Sequence, residues 1–176
     1  PGDIILTTGI HGLSKLGFMI QNKVNFDNNF SLNKKLISKS IEHFCRPKVY
    51  PNFLNNLLTT RSNKKITRIG CTDSSDGLFQ ALQDLAIASS CKAIINYEKI
   101  PKDKDWPKGD KWDEYYFFGG EDYELVFSLP KKWAKNLSQL DEDIKEIGFF
   151  EDGEPSIEFK DKKKNKLFNN KPFKHF

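Results

Sequence analysis

The chain has 176 residues, 38 % of them apolar and 30 % charged, with a net charge of +4. That length holds one domain with a real core, or one domain plus an appendage, and 15 Phe argue against disorder. The mild positive charge suits anionic small molecules without requiring nucleic acid, and no apolar run approaches the roughly 20 residues of a membrane span. No signal peptide is visible, and Cys45, Cys71 and Cys91 show no metal-ligand spacing, which points to reduced thiols in the cytosol.

Asp3 to Thr8 is a short apolar run that ends at Gly9 and predicts a strand. Gly9, Gly12 and Gly17 follow, with Leu13, Leu16 and Ile20 at helical spacing. This is strand, glycine loop, helix, but no Lys-Ser/Thr follows the glycines, so it is not a P-loop. A tight turn or a phosphate contact both suit it. Asn22 to Ser31 reads as a loop. Leu32, Leu36, Ser40 or Ile41, and Phe44 mark an amphipathic helix that Pro47 stops. Arg46 and Lys48 at that break give favourable charge near a helix C-terminus or reach an anion. A short helix over Asn52 to Leu58 and a strand over Ile66 to Cys71 come next.

The strand feeds a polar knot, Gly70-Cys71-Thr72-Asp73-Ser74-Ser75-Asp76-Gly77. Leu78, Ala81, Leu82, Leu85 and Ala86 then set a helix that ends at Ser89-Ser90. Asp73 and Asp76 are three apart and repel unless a cation lies between them. Mg²⁺ takes a few carboxylate oxygens and completes its shell with water and phosphate. Ser75 caps the helix or donates to a phosphate, and a helix start favours anions. The alternative is a capped helix with two solvated aspartates.

Ala93 to Tyr97 predicts a strand, and Pro101 to Lys111 the least ordered interior loop. Tyr115 to Phe118 meet a second knot, Gly119-Gly120-Glu121-Asp122. Two glycines there let backbone approach closely or take positive φ. Tyr123, Leu125, Phe127 and Leu129 alternate with Glu124, Val126 and Ser128, as in a half-buried strand closed by Pro130. Lys131 to Leu140 is helical. Ile147 to Phe150 and Ser156 to Phe159, separated by Asp152-Gly153, read as a hairpin, and Lys160 to Lys166 as a solvated run. His11, His43 and His175 have no nucleophile at partner spacing and read as surface or capping residues. Interleaved strands and helices with a late run of strands predict one α+β domain, a mixed sheet packed with helices.

The order of these motifs resembles the C-terminal domain of the thiamine-monophosphate kinase family. This family belongs to the ATP-binding superfamily that includes aminoimidazole ribonucleotide synthetase and selenophosphate synthetase. The stretches that carry the resemblance are Gly2 to Gly9, Arg46-Pro47, Asp73 to Leu78, Gly119 to Leu125, Asp152-Gly153-Glu154 and Phe173 to Phe176. The Gly119 to Leu125 run separates this kinase from its superfamily relatives.

The resemblance implies a fold like the C-terminal domain of aminoimidazole ribonucleotide synthetase, with residues 1–176 as one such domain. An N-terminal ATP-binding α/β domain would precede it in a longer, cytoplasmic kinase that dimerises through that domain. The implied reaction is phosphorylation of thiamine phosphate to thiamine diphosphate by ATP with Mg²⁺. Asp73 and Asp76 would ligate the metal and Ser75 would contact ATP. Glu121 and Asp122 would face the thiamine phosphate, and Phe173, where the family often has Tyr, would lie against the thiamine. The isolated fragment is expected to lack turnover. Another phosphotransferase or synthetase of the superfamily, or a non-catalytic module keeping the fold, are the competing expectations. A basic nucleic-acid binder is disfavoured by the acids at both knots.

Overall fold

Ile4-Ile5-Leu6-Thr7 is apolar on both sides, which suits a strand covered on both faces. In the computed structural model, which describes residues 1–24, 32–61 and 68–167, this stretch is β1 (Ile4–Thr7), wholly buried near the middle of a sheet. The other strands are β2 (Gly70–Asp73), β3 (Lys92–Ile95), β4 (Leu125–Leu129), β5 (Lys145–Glu151) and β6 (Ser156–Phe159). Their order is β2-β4-β1-β5-β3-β6, antiparallel throughout except for the parallel β3–β6 pair. This mixed sheet packed with helices is the predicted α+β class.

Period-2 alternation sends neighbouring residues of each strand to opposite layers. Ile5, Val126 and Ile147 face a core built with Leu13 and Leu16 of α1 (Leu13–Gln21), Leu78, Leu82 and Leu85 of α4 (Leu78–Ser89), and Tyr116 and Phe117 of α5 (Asp110–Phe118). Ile4, Leu6, Phe127 and Leu129 face a second core with Leu57 of α3 (Phe53–Thr59) and Trp133 and Leu137 of α6 (Lys131–Leu140). The Trp133 indole N–H donates to the Leu57 carbonyl at 2.8 Å, tying α6 to α3. β4 is therefore not half-buried as its alternation suggests. It lies between β2 and β1 with helices on both faces, and Val126 and Ser128 are buried along with Phe127 and Leu129.

α2 (Lys34–Cys45) stacks on α1, with Leu36 and Ser40 buried. The approach depends on Gly17, where a Cβ would stand 2.2 Å from the Ser40 carbonyl oxygen. Gly17→Ala is expected to push the two helices apart and cost about 2–3 kcal/mol, the usual range for overpacking, readable as a lower midpoint in urea.

Other expectations need correction. β5 and β6 are not a hairpin: β5 pairs antiparallel with β3 and β6 pairs parallel with it, so β3 lies between them. The chain reverses after β5 and steps over one strand, which leaves β6 running with β3. The Tyr115 to Phe118 run is helical, the end of α5. The 101–109 segment is anchored by Trp106, which is buried edge-on to Trp112 and Tyr116. Lys164, in the run expected to be solvated, reaches the buried Asp113 carboxylate at 2.7 Å. The expected loop over 22–31 and strand over 66–71 fall partly outside the described residues. No helix among the described residues is long and apolar enough to cross a membrane.

Candidate functional site

Antiparallel pairing decides where the two knots go. β2 ends at Asp73, which is opposite Leu125 at the start of β4, and β1 ends where Val126 pairs with Thr7. The ends of β1 and β2 and the start of β4 therefore lie at one edge of the sheet. Three loops gather there: 8–12, 74–77 and 119–124. Far apart in sequence, the knots are bonded directly. The Glu121 N–H donates to the Ser75 carbonyl at 2.8 Å, and the Ser74 N–H to the Glu124 carbonyl at 2.9 Å. The Glu124 N–H returns to Ser74 Oγ at 3.1 Å.

Within the first knot, Asp73 is exposed and its Oδ1 accepts from Ser75 N–H at 3.0 Å and Ser75 Oγ at 2.6 Å. Ser75 thus closes a turn on Asp73, and α4 begins without a side-chain cap. Asp76 is half-buried beside it. No group of three or more His, Cys, Asp or Glu placed to hold a metal occurs among the described residues. Two carboxylates on one short loop nonetheless fit Mg²⁺, which is commonly held by one or two protein carboxylates together with water and substrate phosphates.

The second knot alternates. Glu121 and Tyr123 point outward, with the Tyr123 hydroxyl donating to Glu121 Oε2 at 2.8 Å. Asp122 and Glu124 point inward and are each 1 % exposed. Of the two roles expected of Gly119-Gly120, Gly119 meets the close approach, since a Cβ there would stand 2.3 Å from the Tyr115 carbonyl oxygen, whereas positive φ falls on Glu121 (69°) and Tyr123 (54°). Non-glycine residues hold such backbone only where their surroundings impose it, at about 1–3 kcal/mol each, and they cluster at functional sites.

Asp122 occupies the N-terminus of α1. Its oxygens accept from the N–H groups of Gly12 at 2.5 Å and Ser14 at 2.9 Å, so the anion at the glycine loop is the protein's own carboxylate. Burial pushes its pKa up to about 7, against the pull of the Ser14 and Gly12 N–H groups and of His43. A group raised in the folded state stabilises most at low pH and loses that contribution as pH rises through its folded value, here from about 3.8 toward about 7. Asp122→Asn removes the dependence. The midpoint difference between variant and wild type should therefore move in the variant's favour between about pH 5 and about pH 8, measured by thermal melts at both.

Glu124 anchors the rest of a buried polar cluster. It accepts from Thr8 Oγ1 and the Tyr50 hydroxyl, each at 2.6 Å, and stands 3.5 Å from His43 Nε2. Burial alone would raise its pKa, but hydrogen bonds from His43, Thr8 and Tyr50 outweigh this and hold the carboxyl below its usual range. The same burial and the carboxylate push the Tyr50 phenol well up. A Cβ at Gly9, whose φ is +50°, would stand 2.0 Å from Glu124 Oε1, so the turn over the carboxylate needs glycine. His43 Nδ1 lies 3.0 Å from Ser14 Oγ and 3.8 Å from Asp122 Oδ1. His11, fully buried, meets Thr7 Oγ1 at 2.7 Å, and burial lowers its pKa to about 4.

Neither His11 nor His43 is thus a surface or capping residue. Lys48 pairs with Asp143 and Arg46 is exposed at the end of α2. Beside Tyr123 opens an apolar groove of about 620 Å³ lined by Pro47, Tyr50, Phe53, Leu54, Tyr123 and Leu125. The edge thus brings together Asp73, Ser75, Asp76, Glu121 and Asp122. Phe173 and His175 lie outside the described residues.

A mixed sheet with helices on both faces and two acidic knots bonded together at one edge is the architecture of a known class. The chain belongs to the family described as AIR synthase related protein, C-terminal domain, whose model matches residues 1–160. Its relatives bear out the resemblance to thiamine-monophosphate kinases. The thiamine-monophosphate kinase of Prochlorococcus marinus is 35 % identical over 153 residues, covering 87 % of this chain and 46 % of that protein. The solved thiamine monophosphate kinase of Aquifex aeolicus is 26 % identical with a TM-score of 0.67, over 90 % of this chain and 50 % of that one. AaThiL complexed with AMPPCP and TMP, also 26 % identical, gives a TM-score of 0.64 over 90 % of this chain and 47 % of that one. The chain spans about half the length of the curated relatives it matches.

Proposed function

We propose that this chain is the C-terminal domain of a cytoplasmic, Mg²⁺-dependent kinase that phosphorylates thiamine phosphate to thiamine diphosphate with ATP. The observation that carries the reading is the bonding of the two knots, through Glu121 N–H to the Ser75 carbonyl and Ser74 to Glu124. It sets a metal-competent acid pair beside a loop strained at Glu121 and Tyr123. The kinase names of the relatives and the AMPPCP and TMP bound to AaThiL support the choice of reaction. The three cysteines are free, in keeping with a reducing compartment.

In this reading Asp73 and Asp76 are the metal ligands and Ser75 contacts ATP. Bound there, Mg²⁺ would neutralise charge on the transferring phosphoryl group. The attacking oxygen belongs to a phosphate that is already anionic near neutral pH, so the site needs no strong base. Its work is alignment. Glu121 faces the thiamine phosphate directly. Asp122, expected to face it as well, is buried with its oxygens taken by the Gly12 and Ser14 N–H groups, so in this reading it acts behind Glu121, holding the start of α1 against the loop, and Phe173 supplies a flat face for the thiamine. An N-terminal domain would complete the ATP site and pair two subunits.

The test is a coupled ADP-release assay. The whole protein should turn over ATP only with thiamine phosphate and Mg²⁺ present, and the 176-residue chain alone should not. Turnover by the isolated chain, or ADP release from the whole protein independent of thiamine phosphate, would overturn the reading.

A further inference from the structure

The loop that carries Glu121 holds two positive-φ residues, and beyond Tyr123 its inward carboxylate is Glu124. That carboxylate gathers Thr8 from the end of β1, Tyr50 from the segment between α2 and α3, and His43 from α2. Tyr50 and Tyr123 both line the apolar groove. The Tyr50–Glu124 bond therefore sets how far the 47–51 wall stands from the Glu121 loop. On the other side of Tyr123, Asp122 is pinned to α1 and faces the same imidazole. His43 stands between the two carboxylates, so one side chain braces both inward residues that flank Tyr123.

We infer that Glu124, tied to Tyr50 and His43, is a positioning residue that fixes the Glu121–Tyr123 loop against the Pro47–Pro51 wall and so sets the width of the groove for the phosphate-acceptor substrate. This rests on the proposed kinase reading. Glu124 is too buried to touch a ligand, so its effect must pass through the loop.

Two variants of the whole protein test it. Tyr50→Phe keeps the ring in the groove and removes the hydroxyl. Glu124→Gln keeps the buried volume and removes the charge. Both should raise KM for thiamine phosphate about tenfold, the effect of losing one charge-assisted hydrogen bond, and leave KM for ATP within about twofold. Amide hydrogen exchange without substrate should quicken at 119–124 in both, while the amides of β5 and β3 keep wild-type rates. Three results would overturn the inference: unchanged exchange at 119–124, quickened exchange with unchanged KM, or a KM effect confined to Tyr50→Phe, which would mark direct contact. If the wild type shows no thiamine-phosphate-dependent turnover, the kinase reading fails instead. Exchange at 119–124 then decides by itself whether Glu124 fixes the loop.

Discussion

Asp73→Asn or Asp76→Asn in the whole protein is expected to cut kcat about a thousandfold, the scale on which removing one preorganised electrostatic contact to a transition state acts. The reason is local. Asn at 73 keeps an Oδ1 for the Ser75 turn, which in the wild type accepts from both Ser75 N–H and Oγ, so the loop retains its shape and loses only charge. Thermal midpoints should stay close to wild type, because substitutions away from the core fall within about 0.5 kcal/mol. Raised Mg²⁺ should recover part of the rate in each single variant and none in the double variant. Steady-state kinetics over a Mg²⁺ series reads the rates and their recovery, and thermal melts read the midpoints. A rate loss accompanied by a large fall in midpoint would indicate a structural role for these aspartates.

Glu124→Ala should act in the opposite way, on stability first. Removing the carboxylate strips the acceptor from Thr8 Oγ1, the Tyr50 hydroxyl and His43 at once. It also leaves a hole under Gly9, which is in contact with that side chain. Buried donors without partners cost about 1–3 kcal/mol each, and relaxation recovers part of it, giving a loss of about 4 kcal/mol. For a domain of this size that lowers the midpoint by roughly 8–16 °C, readable by calorimetry. Glu124→Gln, which can still accept from two of the three donors, should lose less than half as much. Equal losses in the two variants would mean that neither the retained volume nor the remaining acceptor oxygen counts, and that the lost charge carries the whole effect.

The elements that the sequence makes plain are those set by local periodicity. α1, α4 and α6 follow from apolar spacing, and β1 from a run bounded by glycine. The acid pair is legible too, because two aspartates three apart need a physical reason to stay together. What escapes local reading depends on pairing. Nothing near Ile147 or Ser156 says that β3 will come between them. Nothing in the alternation around Phe127 says that helices will cover both faces of β4. His43 and Tyr50 carry no spacing signal toward Glu124, which lies 81 and 74 positions further along and meets them only after β1, α2 and β4 have assembled. Glu124 itself hides in the strand pattern as an outward residue. The one hint was adjacency, since three acids in four positions, 121 to 124, cannot all be solvated at equal cost. The positive φ at Glu121 and Tyr123, rather than at the glycines before them, has the same origin, because it is imposed by the inward anchoring of Asp122 and Glu124.

The most direct test is anomalous diffraction from crystals of the whole protein grown with Mn²⁺, a non-hydrolysable ATP analogue and thiamine phosphate. A manganese peak within about 2.2 Å of carboxylate oxygens of both Asp73 and Asp76, in contact with the nucleotide phosphates, is the predicted result. Manganese bound elsewhere, with both aspartates turned to bulk water, would contradict it.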